Sequence, residues 1–329
     1  MSRHLKSREA LLLLAIVVMT GAIALRFPAF IAPLNLIGTF TDTSPLIILA
    51  LGEMVVILCR CIDLSVAANL ALAGMIAAML DVAGVPLPLI ILAAVAAGAL
   101  VGAINGVLVW KLDIPPIVVT LGTMTIARGM IFVLSGGKWI NDQALSGAFK
   151  GFPRAVVLGL PVLAWIAIAV VLVFVVLIRA TPLGRAFFAV GGNPNAAVYT
   201  GIDVGRTQFW AFTLSGALAG LAGYLWISRY AVAYVDIANG FELDVVAACV
   251  IGGISIAGGA GSVAGAFLGA LFLGITKNAL PVIGVSPFWQ MAISGAAILA
   301  AVAINARESR RPGRIILKSV EQTALEART

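Results

Sequence analysis

The sequence predicts an all-α, polytopic membrane protein with about ten transmembrane helices and both termini on the cytoplasmic side. Of its 329 residues, 62% are hydrophobic and only 11% are charged, whereas soluble domains contain about 45–50% apolar and about 25% charged residues. The apolar residues form runs long enough to cross a bilayer, and the basic residues cluster beside those runs rather than in a stripe with aromatic residues. The net charge of +7 therefore indicates membrane topology and not nucleic-acid binding.

Ten apolar runs are candidates for transmembrane helices, because a helix needs about 20 residues to cross a hydrocarbon core of about 30 Å. The first run follows a basic N-terminal segment, and we interpret it as an uncleaved transmembrane helix rather than as a signal peptide. The eighth and ninth runs are short and rich in glycine, which favours broken or re-entrant segments. The ten runs comprise residues 9–27, 44–61, 64–81, 87–111, 115–135, 157–178, 207–228, 244–257, 261–277 and 288–306.

The distribution of lysine and arginine predicts the orientation of these runs. If the N-terminus is cytoplasmic and all ten runs cross the membrane, most basic residues fall on the cytoplasmic side, as the positive-inside rule requires. The predicted outer loops are then residues 28–43, 136–156 and 229–243. No stretch remains for a soluble domain, so residues 1–329 are predicted to form one transmembrane domain with a basic cytoplasmic tail at 307–329. The basic residues assigned to the outer side are Arg26, Lys138, Lys150, Arg154, Arg229 and Lys277.

A polar, glycine-rich segment at about residues 180–206 interrupts the apolar sequence. Backbone amides cannot be left unpaired in the hydrocarbon core, so this segment is expected to lie outside it. Arg179 lies at its entry and Arg185 and Arg206 flank it, which places the segment on the cytoplasmic side. There it is predicted to fold as a short helix and to contact a soluble partner.

Small residues recur at a spacing of about four positions in three of the apolar runs. Such spacing lets helix backbones approach closely, where van der Waals contact replaces the hydrophobic driving force that is missing in lipid. The pattern predicts a tightly packed bundle and gives no information about the transported solute. The glycines in this pattern are Gly98, Gly102 and Gly106 in the fourth run, Gly216, Gly220 and Gly223 in the seventh, and Gly261, Gly265 and Gly269 in the ninth.

The sequence offers little material for a catalytic site. The single histidine, His4, lies in the N-terminal tail, so no catalytic triad or histidine-containing metal site can form within the membrane. The run Leu134-Ser135-Gly136-Gly137-Lys138 resembles the signature loop of ATP-binding-cassette ATPases, but no nucleotide-binding loop accompanies it. The chain is therefore not expected to be an enzyme, and neither a metal nor a cofactor is predicted.

Charged residues inside apolar runs are functional candidates, because an arginine near the centre of a membrane helix costs about 2.5–3.5 kcal/mol on insertion scales. Glu53 and Arg128 are two such residues, and two interpretations remain open: they form an ion pair inside the bundle, or they line a polar passage. Weaker polar residues suit an uncharged, hydroxyl-rich solute, although hydrogen bonds between helices explain them equally well. These residues are Asn69, Asn105, Thr120, Thr123, Thr125 and Asn278.

Four stretches of the chain resemble the membrane subunits of ATP-binding-cassette sugar importers, in the bacterial permease family for ribose, galactose, xylose and autoinducer 2. They occur in the order and spacing of that family, from about residue 30 to about residue 305. The sequence departs from the family pattern at Cys59-Arg60-Cys61, where small uncharged residues are usual, and Glu53 is an unusual charge for its helix. The four stretches are Ile62-Asp63-Leu64-Ser65-Val66, residues 102–137, residues 183–202 with the motif Ala189-Val190-Gly191-Gly192-Asn193, and residues 241–280.

The resemblance implies an inward transporter of a sugar or sugar-like polyol that takes its energy from a separate cytoplasmic ATPase. It also implies a second permease subunit, identical or related, around one central pathway in the bacterial inner membrane, and a periplasmic sugar-binding protein at the outer loops. The segment at residues 184–201 would contain the helix that docks into the ATPase. The residues expected to couple to the ATPase are Gly184, Arg185, Gly191, Gly192, Asn193, Ala196, Ala197 and Gly201.

An alternative function is that of a secondary transporter, in which Glu53 or Asp63 relays protons or sodium ions. Such a transporter would be driven by an ion gradient and would not need an ATPase. The candidates for the translocation pathway are Glu53, Asn69, Asn105, Thr120, Thr123, Arg128 and Asn278.

Overall fold

A computed structural model of the protein describes residues 2–285 together with Trp289, Ala292, Gly295 and Ala296. Apart from those four residues, the predicted tenth span at 288–306 lies outside the described residues, as does the predicted basic tail at 307–329.

The described part of the chain is built almost entirely of helices, which confirms the prediction of a helical, polytopic membrane protein. The other regular elements within it are a 3-10 turn at Pro28–Ile31 and a small hairpin of strands β1 (Val156–Val157) and β2 (Leu160–Pro161). The helices are α1 (Ser2–Arg26), α2 (Pro33–Leu58), α3 (Val66–Val82), α4 (Leu87–Leu112), α5 (Pro116–Ser135), α6 (Gly147–Arg154), α7 (Val162–Ala180), α8 (Pro182–Gly192), α9 (Pro194–Tyr199), α10 (Val204–Tyr230), α11 (Phe241–Ile251) and α12 (Val263–Val282).

Seven of the helices in the described residues are long and apolar enough to cross a membrane: α1, α2, α4, α5, α7, α10 and α12. Helix α3 is apolar but shorter, with 17 residues. Helix α11 has only 11 residues, which corresponds to a rise of about 16 Å, roughly half of the hydrocarbon thickness. The eighth predicted run is therefore a short helix followed by a glycine-rich loop, whereas the ninth corresponds to the full-length helix α12.

The predicted outer loop at 28–43 is wrong over most of its length, because α2 begins at Pro33. The polar residues that suggested a loop are accommodated in the helix by bonds to its own backbone. The hydroxyls of Thr41, Thr43 and Ser44 each donate a hydrogen bond to the carbonyl four residues earlier. A hydroxyl satisfied in this way does not need water, so it does not end the helix.

Helix α2 lies at the centre of the bundle and is buried without interruption from Thr43 to Leu58. It packs against α10, α12, α7 and α11. A helix that is apolar on all sides can only be stable when other helices surround it or when it faces lipid. In α2 the surrounding helices bury the apolar side chains, so α2 can move only if these neighbouring helices move or repack.

Helices α4 and α10 form the most extensive helix pair in the described bundle, and glycine is the reason. A Cβ atom on Gly98 would collide with the backbone of Gly216 and Gly220, and one on Gly102 with the carbonyl of Phe212. In the same way, Gly269 of α12 contacts the backbone of α11 at Ala248, and Gly265 contacts the backbone of Gly252 directly after α11. The small-residue spacing in the sequence therefore correctly predicted close helix packing.

Replacing Gly98 with leucine is expected to lower the stability of the purified chain by about 1–3 kcal/mol or more, because the side chain must push α4 and α10 apart. Gly122→Leu is the matched control, since a Cβ at Gly122 on α5 meets no atom of the described residues within 4 Å. Thermal unfolding in detergent measures both variants. Equal losses of stability would contradict the assignment of the close contact to Gly98.

Candidate functional site

The polar segment between α7 and α10 folds as two short helices, α8 and α9, where one was predicted. Each begins with a side chain that caps its free backbone amides. Thr181 Oγ1 accepts a hydrogen bond from Gly184 N at 3.0 Å, and Asn193 Oδ1 accepts one from Ala196 N at 3.1 Å. Proline follows each cap at the first helical position, where its missing N–H costs nothing. The segment is thus an ordered surface element and not a flexible connection.

The predicted coupling residues divide into a packed set and an exposed set. Gly184 is buried where α8 meets the end of α7, and Gly191 is buried against the carbonyl of Leu58. Ala197 is buried as well. The exposed set consists of Arg185, Gly192, Asn193, Ala196 and Gly201.

Sequence reasoning missed two exposed apolar side chains at the end of α9. Tyr199 is 92% exposed and Val198 is 60% exposed. A tyrosine within an otherwise polar, glycine-rich segment was the available signal, because exposed aromatic side chains are enriched at protein interfaces. We call the end of the bundle that carries α8, α9 and the loop at residues 59–65 the coupling end.

Two of the predicted pathway residues, Glu53 and Asn105, lie close to the loop at residues 59–65. Glu53 is fully buried, and its Oε1 accepts a hydrogen bond from Asp63 N at 3.1 Å. Asp63 Oδ1 in turn accepts hydrogen bonds from the backbone N of Ser65 at 2.9 Å and from its Oγ at 2.5 Å. Asn105 Nδ2 donates to Ser65 Oγ at 2.9 Å, which extends the network to α4. We call Glu53, Asp63, Ser65 and Asn105 the polar network.

Two further predicted residues border the polar network. Asn69 on α3 donates from Nδ2 to the carbonyl of Gly98 at 3.0 Å, and Thr120 on α5 donates to the carbonyl of Ile62 at 3.4 Å. Both side chains are buried. The bond from Asn69 joins helices α3 and α4, as one of the two interpretations of these residues expected, whereas the bond from Thr120 joins α5 to the loop at residues 59–65.

The polar network retains buried oxygen atoms that accept no hydrogen bond from any of the described residues. These atoms are Glu53 Oε2, Asn105 Oδ1 and, beside the network, Asn69 Oδ1. Burial also raises the pKa of Asp63, in the loop between α2 and α3, to about 6, although hydrogen bonds from Ser65 oppose this shift. A buried acceptor without a donor is costly. The network is therefore suited to receive hydroxyl donors.

Of the two open interpretations of Glu53 and Arg128, the ion pair is not formed. Arg128 donates from Nη1 to the carbonyls of Val235 at 3.0 Å and Ile237 at 2.6 Å. These carbonyls belong to the loop between α10 and α11, at the opposite end of the bundle from α8 and α9. Glu53 instead lies near the end of α2 at the coupling end, so the two charges differ in depth along the bundle.

The remaining two pathway candidates lie apart from the polar network. Thr123 is buried, and its hydroxyl bonds within α5 to the carbonyls of Val119 and Thr120. Asn278 donates to the carbonyl of Gly274 at 3.0 Å. Asn278 also lines an open cavity of about 570 Å³ near the opposite end of the bundle, whose other polar lining residues are Arg26, Asn35, Thr39 and Asp42.

Because Glu53 and Arg128 share no contact, the effects of Glu53→Leu and Arg128→Leu on stability are expected to add within about 0.5 kcal/mol in the double variant. Thermal or denaturant unfolding of the two single variants and the double variant in detergent measures this. An interaction energy above about 1 kcal/mol would indicate that the two residues are coupled after all.

The described residues contain no group of three or more His, Cys, Asp or Glu side chains that could hold a metal ion. The three cysteines, Cys59, Cys61 and Cys249, are free and buried.

Comparisons with known proteins agree on the class of protein that carries this arrangement. The family described as "Branched-chain amino acid transport system / permease component" matches residues 35–302. The autoinducer 2 import system permease protein LsrC of Enterobacter sp. strain 638 is 38% identical over 307 residues, which cover 93% of this chain and 89% of that protein. The ribose import permease protein RbsC of Bacillus subtilis strain 168 is 38% identical over 285 residues, which cover 86% of this chain and 88% of that protein.

A third relative is similar to this chain to nearly the same degree. The ribose import permease protein RbsC of Escherichia coli strain K12 is 37% identical over 295 residues, covering 89% of this chain and 92% of that protein. No solved structure matches the chain significantly.

Proposed function

The chain belongs to the family of permease components of transport systems, and on that premise we propose that it is the membrane-spanning subunit of an ATP-binding-cassette importer that carries a sugar or sugar-like polyol inward. The observation that carries this proposal is the similarity, over nearly the whole chain, to permeases named for ribose and for autoinducer 2. Both names denote importers of small hydroxylated molecules. The chain then forms part of the membrane pathway, and a separate ATPase subunit hydrolyses ATP.

The proposed topology has ten crossings, with both termini on the cytoplasmic side of the bacterial inner membrane. The distribution of lysine and arginine supports it, because the coupling end then faces the cytoplasm. Arg60, Lys111, Arg185 and Arg206 all belong to this end. The tenth crossing is assigned to residues 288–306 on sequence alone.

The proposed docking site for the cytoplasmic ATPase is the exposed surface of α8 and α9. One face of this segment is anchored to the bundle through the buried side chains of Phe187 and Val190. Its other face presents Arg185, Asn193 and Tyr199 to solvent. A rigid, anchored element with an exposed aromatic residue is suited to bind a groove of a soluble partner and to move with it.

The proposed docking site for a periplasmic sugar-binding protein lies at the opposite end of the bundle. Two loops pack against each other there: Trp139 stacks on Tyr234 with ring centroids 4.7 Å apart, and Ile140 pairs with Ala233 through the backbone. This packing gives the outer surface a defined shape.

A second permease subunit, identical or related, would complete the pathway beside this chain.

For inward transport, the proposed pathway begins near Asn278 and Arg128 at the outer end, passes Thr123 and reaches the polar network near the coupling end. Because the network side chains are buried, the pathway is closed at that level in the described conformation. The buried acceptors without partners support a hydroxylated solute, since each hydroxyl could satisfy one of them during passage.

Uptake in membrane vesicles that contain the native partner proteins tests the proposal. With radiolabelled D-ribose and autoinducer 2 as probes, we expect uptake to require internal ATP and to persist when a protonophore and a sodium ionophore collapse the ion gradients. Uptake that needs no ATP and stops with the gradients would support the secondary transporter and overturn the proposal.

A further inference from the structure

Arg60 joins two parts of the chain that are far apart in sequence. It follows α2 in a left-handed backbone conformation, with a φ of 64°. From there its guanidinium reaches the end of α8, where Nε donates to the carbonyl of Gly191 at 2.8 Å and Nη2 donates to the carbonyl of Gly192 at 3.0 Å. The end of the central helix is thus tied directly to the segment of α8 and α9, which we call the coupling segment.

The chemistry of this contact is specific to arginine. The last carbonyls of a helix have no donor within the helix, and they form the negative end of its dipole. A guanidinium supplies a positive charge and two parallel N–H donors from one rigid plane, which a lysine ammonium cannot do. Arg60 therefore caps α8 from a distant position in the sequence.

The loop that precedes α12 completes the contact. Gly259 N donates to the carbonyl of Leu58 at 3.0 Å, and Gly258 lies against the aliphatic part of the Arg60 side chain. A Cβ atom on Gly259 would collide with the backbone of Gly191 and Gly192. We call this set the Arg60 junction: Arg60, Gly191, Gly192, Gly258 and Gly259.

The Arg60 junction lies next to the polar network along the chain. Glu53 is on the last two turns of α2, directly before the junction, and Asp63 and Ser65 follow Arg60 in the loop. Gln208 near the start of α10 also donates to the carbonyl of Cys59, at 3.4 Å. If α8 moves, the residues that enclose the polar network therefore move with it, because few rotatable bonds separate them from α8.

We propose that Arg60 is a positioning residue that transmits movement of α8 to α2 and so opens the polar network when the ATPase acts. This inference rests on the proposed function, because it needs an ATPase that moves α8. The inference gives a function to Arg60, which lies where the family usually has a small uncharged residue. If Arg60 served only to cap α8, its loss would lower stability without changing the response of α2 to ATP.

The native cysteines provide the readout. Cys249 on α11 is buried, and its Sγ contacts the carbonyl of Ala50 in the middle of α2 at 3.2 Å. Its rate of alkylation by N-ethylmaleimide, quantified by mass spectrometry of the Cys249 peptide, reports movement of α2 at a distance from the mutated site. The measurement uses the complete complex in lipid nanodiscs, with and without ATP, so it does not depend on the identity of the solute.

Arg60→Gly is the main variant, because glycine adopts the left-handed conformation at this position without strain. Arg60→Lys keeps the charge but not the paired donors. Arg154→Ala is the matched control: Arg154 also bonds two successive helix-terminal carbonyls, those of Ser228 at 3.1 Å and Arg229 at 2.9 Å, but at the opposite end of the bundle.

In the wild-type complex, ATP is expected to change the alkylation rate of Cys249 by about tenfold, a typical size for coupling between sites. Arg60→Gly should reduce this change to less than about twofold while the ATPase stays attached and hydrolyses ATP. Arg60→Lys should give an intermediate value, and Arg154→Ala should match the wild type.

Three outcomes would overturn the inference. A full response to ATP in Arg60→Gly would show that Arg60 does not transmit movement. Loss of the attached ATPase in both Arg60 variants would place Arg60 in docking instead. If no ATPase accompanies even the wild-type chain, the proposed function itself fails and the inference fails with it.

Discussion

A valine in place of Gly191 is expected to prevent the coupling end from assembling and to abolish uptake. A Cβ atom at this position would collide with the carbonyl oxygen of Leu58 and with the backbone N of Gly259. Backbone atoms cannot rotate away as a flexible side chain can, so either α8 or α2 must move. We expect a loss of about 3 kcal/mol or more in the free energy of unfolding, because the displacement of α8 or α2 also breaks the two hydrogen bonds that Arg60 donates to the end of α8.

Gly192→Val is the matched control for stability. It is the same substitution at the next residue, but within the part of the chain that the structure describes, a Cβ atom on Gly192 meets no atom within 4 Å. Thermal unfolding of both purified variants in detergent measures the difference. If Gly191→Val unfolds at the same temperature as Gly192→Val, the close contact between α8 and the end of α2 is not present in the protein.

Replacing Tyr199 with alanine is expected to release the ATPase from an otherwise intact permease. Tyr199 is 92% exposed at the end of α9, so its removal should leave the stability of the chain unchanged. Tyrosines at the centre of interfaces commonly contribute 2 kcal/mol or more, which corresponds to a loss of affinity of about 30-fold. Titration of the purified ATPase against the permease in nanodiscs measures the dissociation constant.

Leu158→Ala is the control for this effect. Leu158 is 88% exposed in the turn between β1 and β2, at the opposite end of the bundle. The proposed docking site predicts that this change leaves the affinity for the ATPase unaltered. Equal affinity of wild type and Tyr199→Ala would exclude the end of α9 from the docking surface.

The sequence predicted the helices well where hydrophobicity alone decides. It failed at the start of α2, because the hydroxyls of Thr41, Thr43 and Ser44 bond to their own helix and therefore behave as parts of it. The glycine spacing correctly predicted the contact between α4 and α10, since close approach of helices leaves a regular pattern in each sequence.

The candidate site was less predictable because its contacts join distant segments. The coupling segment could be located from its polarity, but the sequence could not reveal that Gly191 packs on Leu58 or that Arg60 reaches across 131 positions to bond it. For a related reason, the sequence could not decide between the two interpretations of Glu53 and Arg128, of which the ion pair is not formed. Opposite charges on two helices attract each other only when they lie at the same depth in the bundle. Arg128 lies at a different depth from Glu53, so it bonds instead to the nearby loop carbonyls of Val235 and Ile237.

Purification of the tagged chain from its native host in mild detergent, followed by mass spectrometry of the proteins that accompany it, shows whether the chain works with an ATPase. We expect an ATP-binding-cassette ATPase to accompany the wild-type chain, together with a second permease if the pathway is formed by two different subunits. The ATPase should be lost in Tyr199→Ala and retained in Leu158→Ala. A chain that purifies without an ATPase and still supports ion-gradient-driven uptake in vesicles would contradict the account.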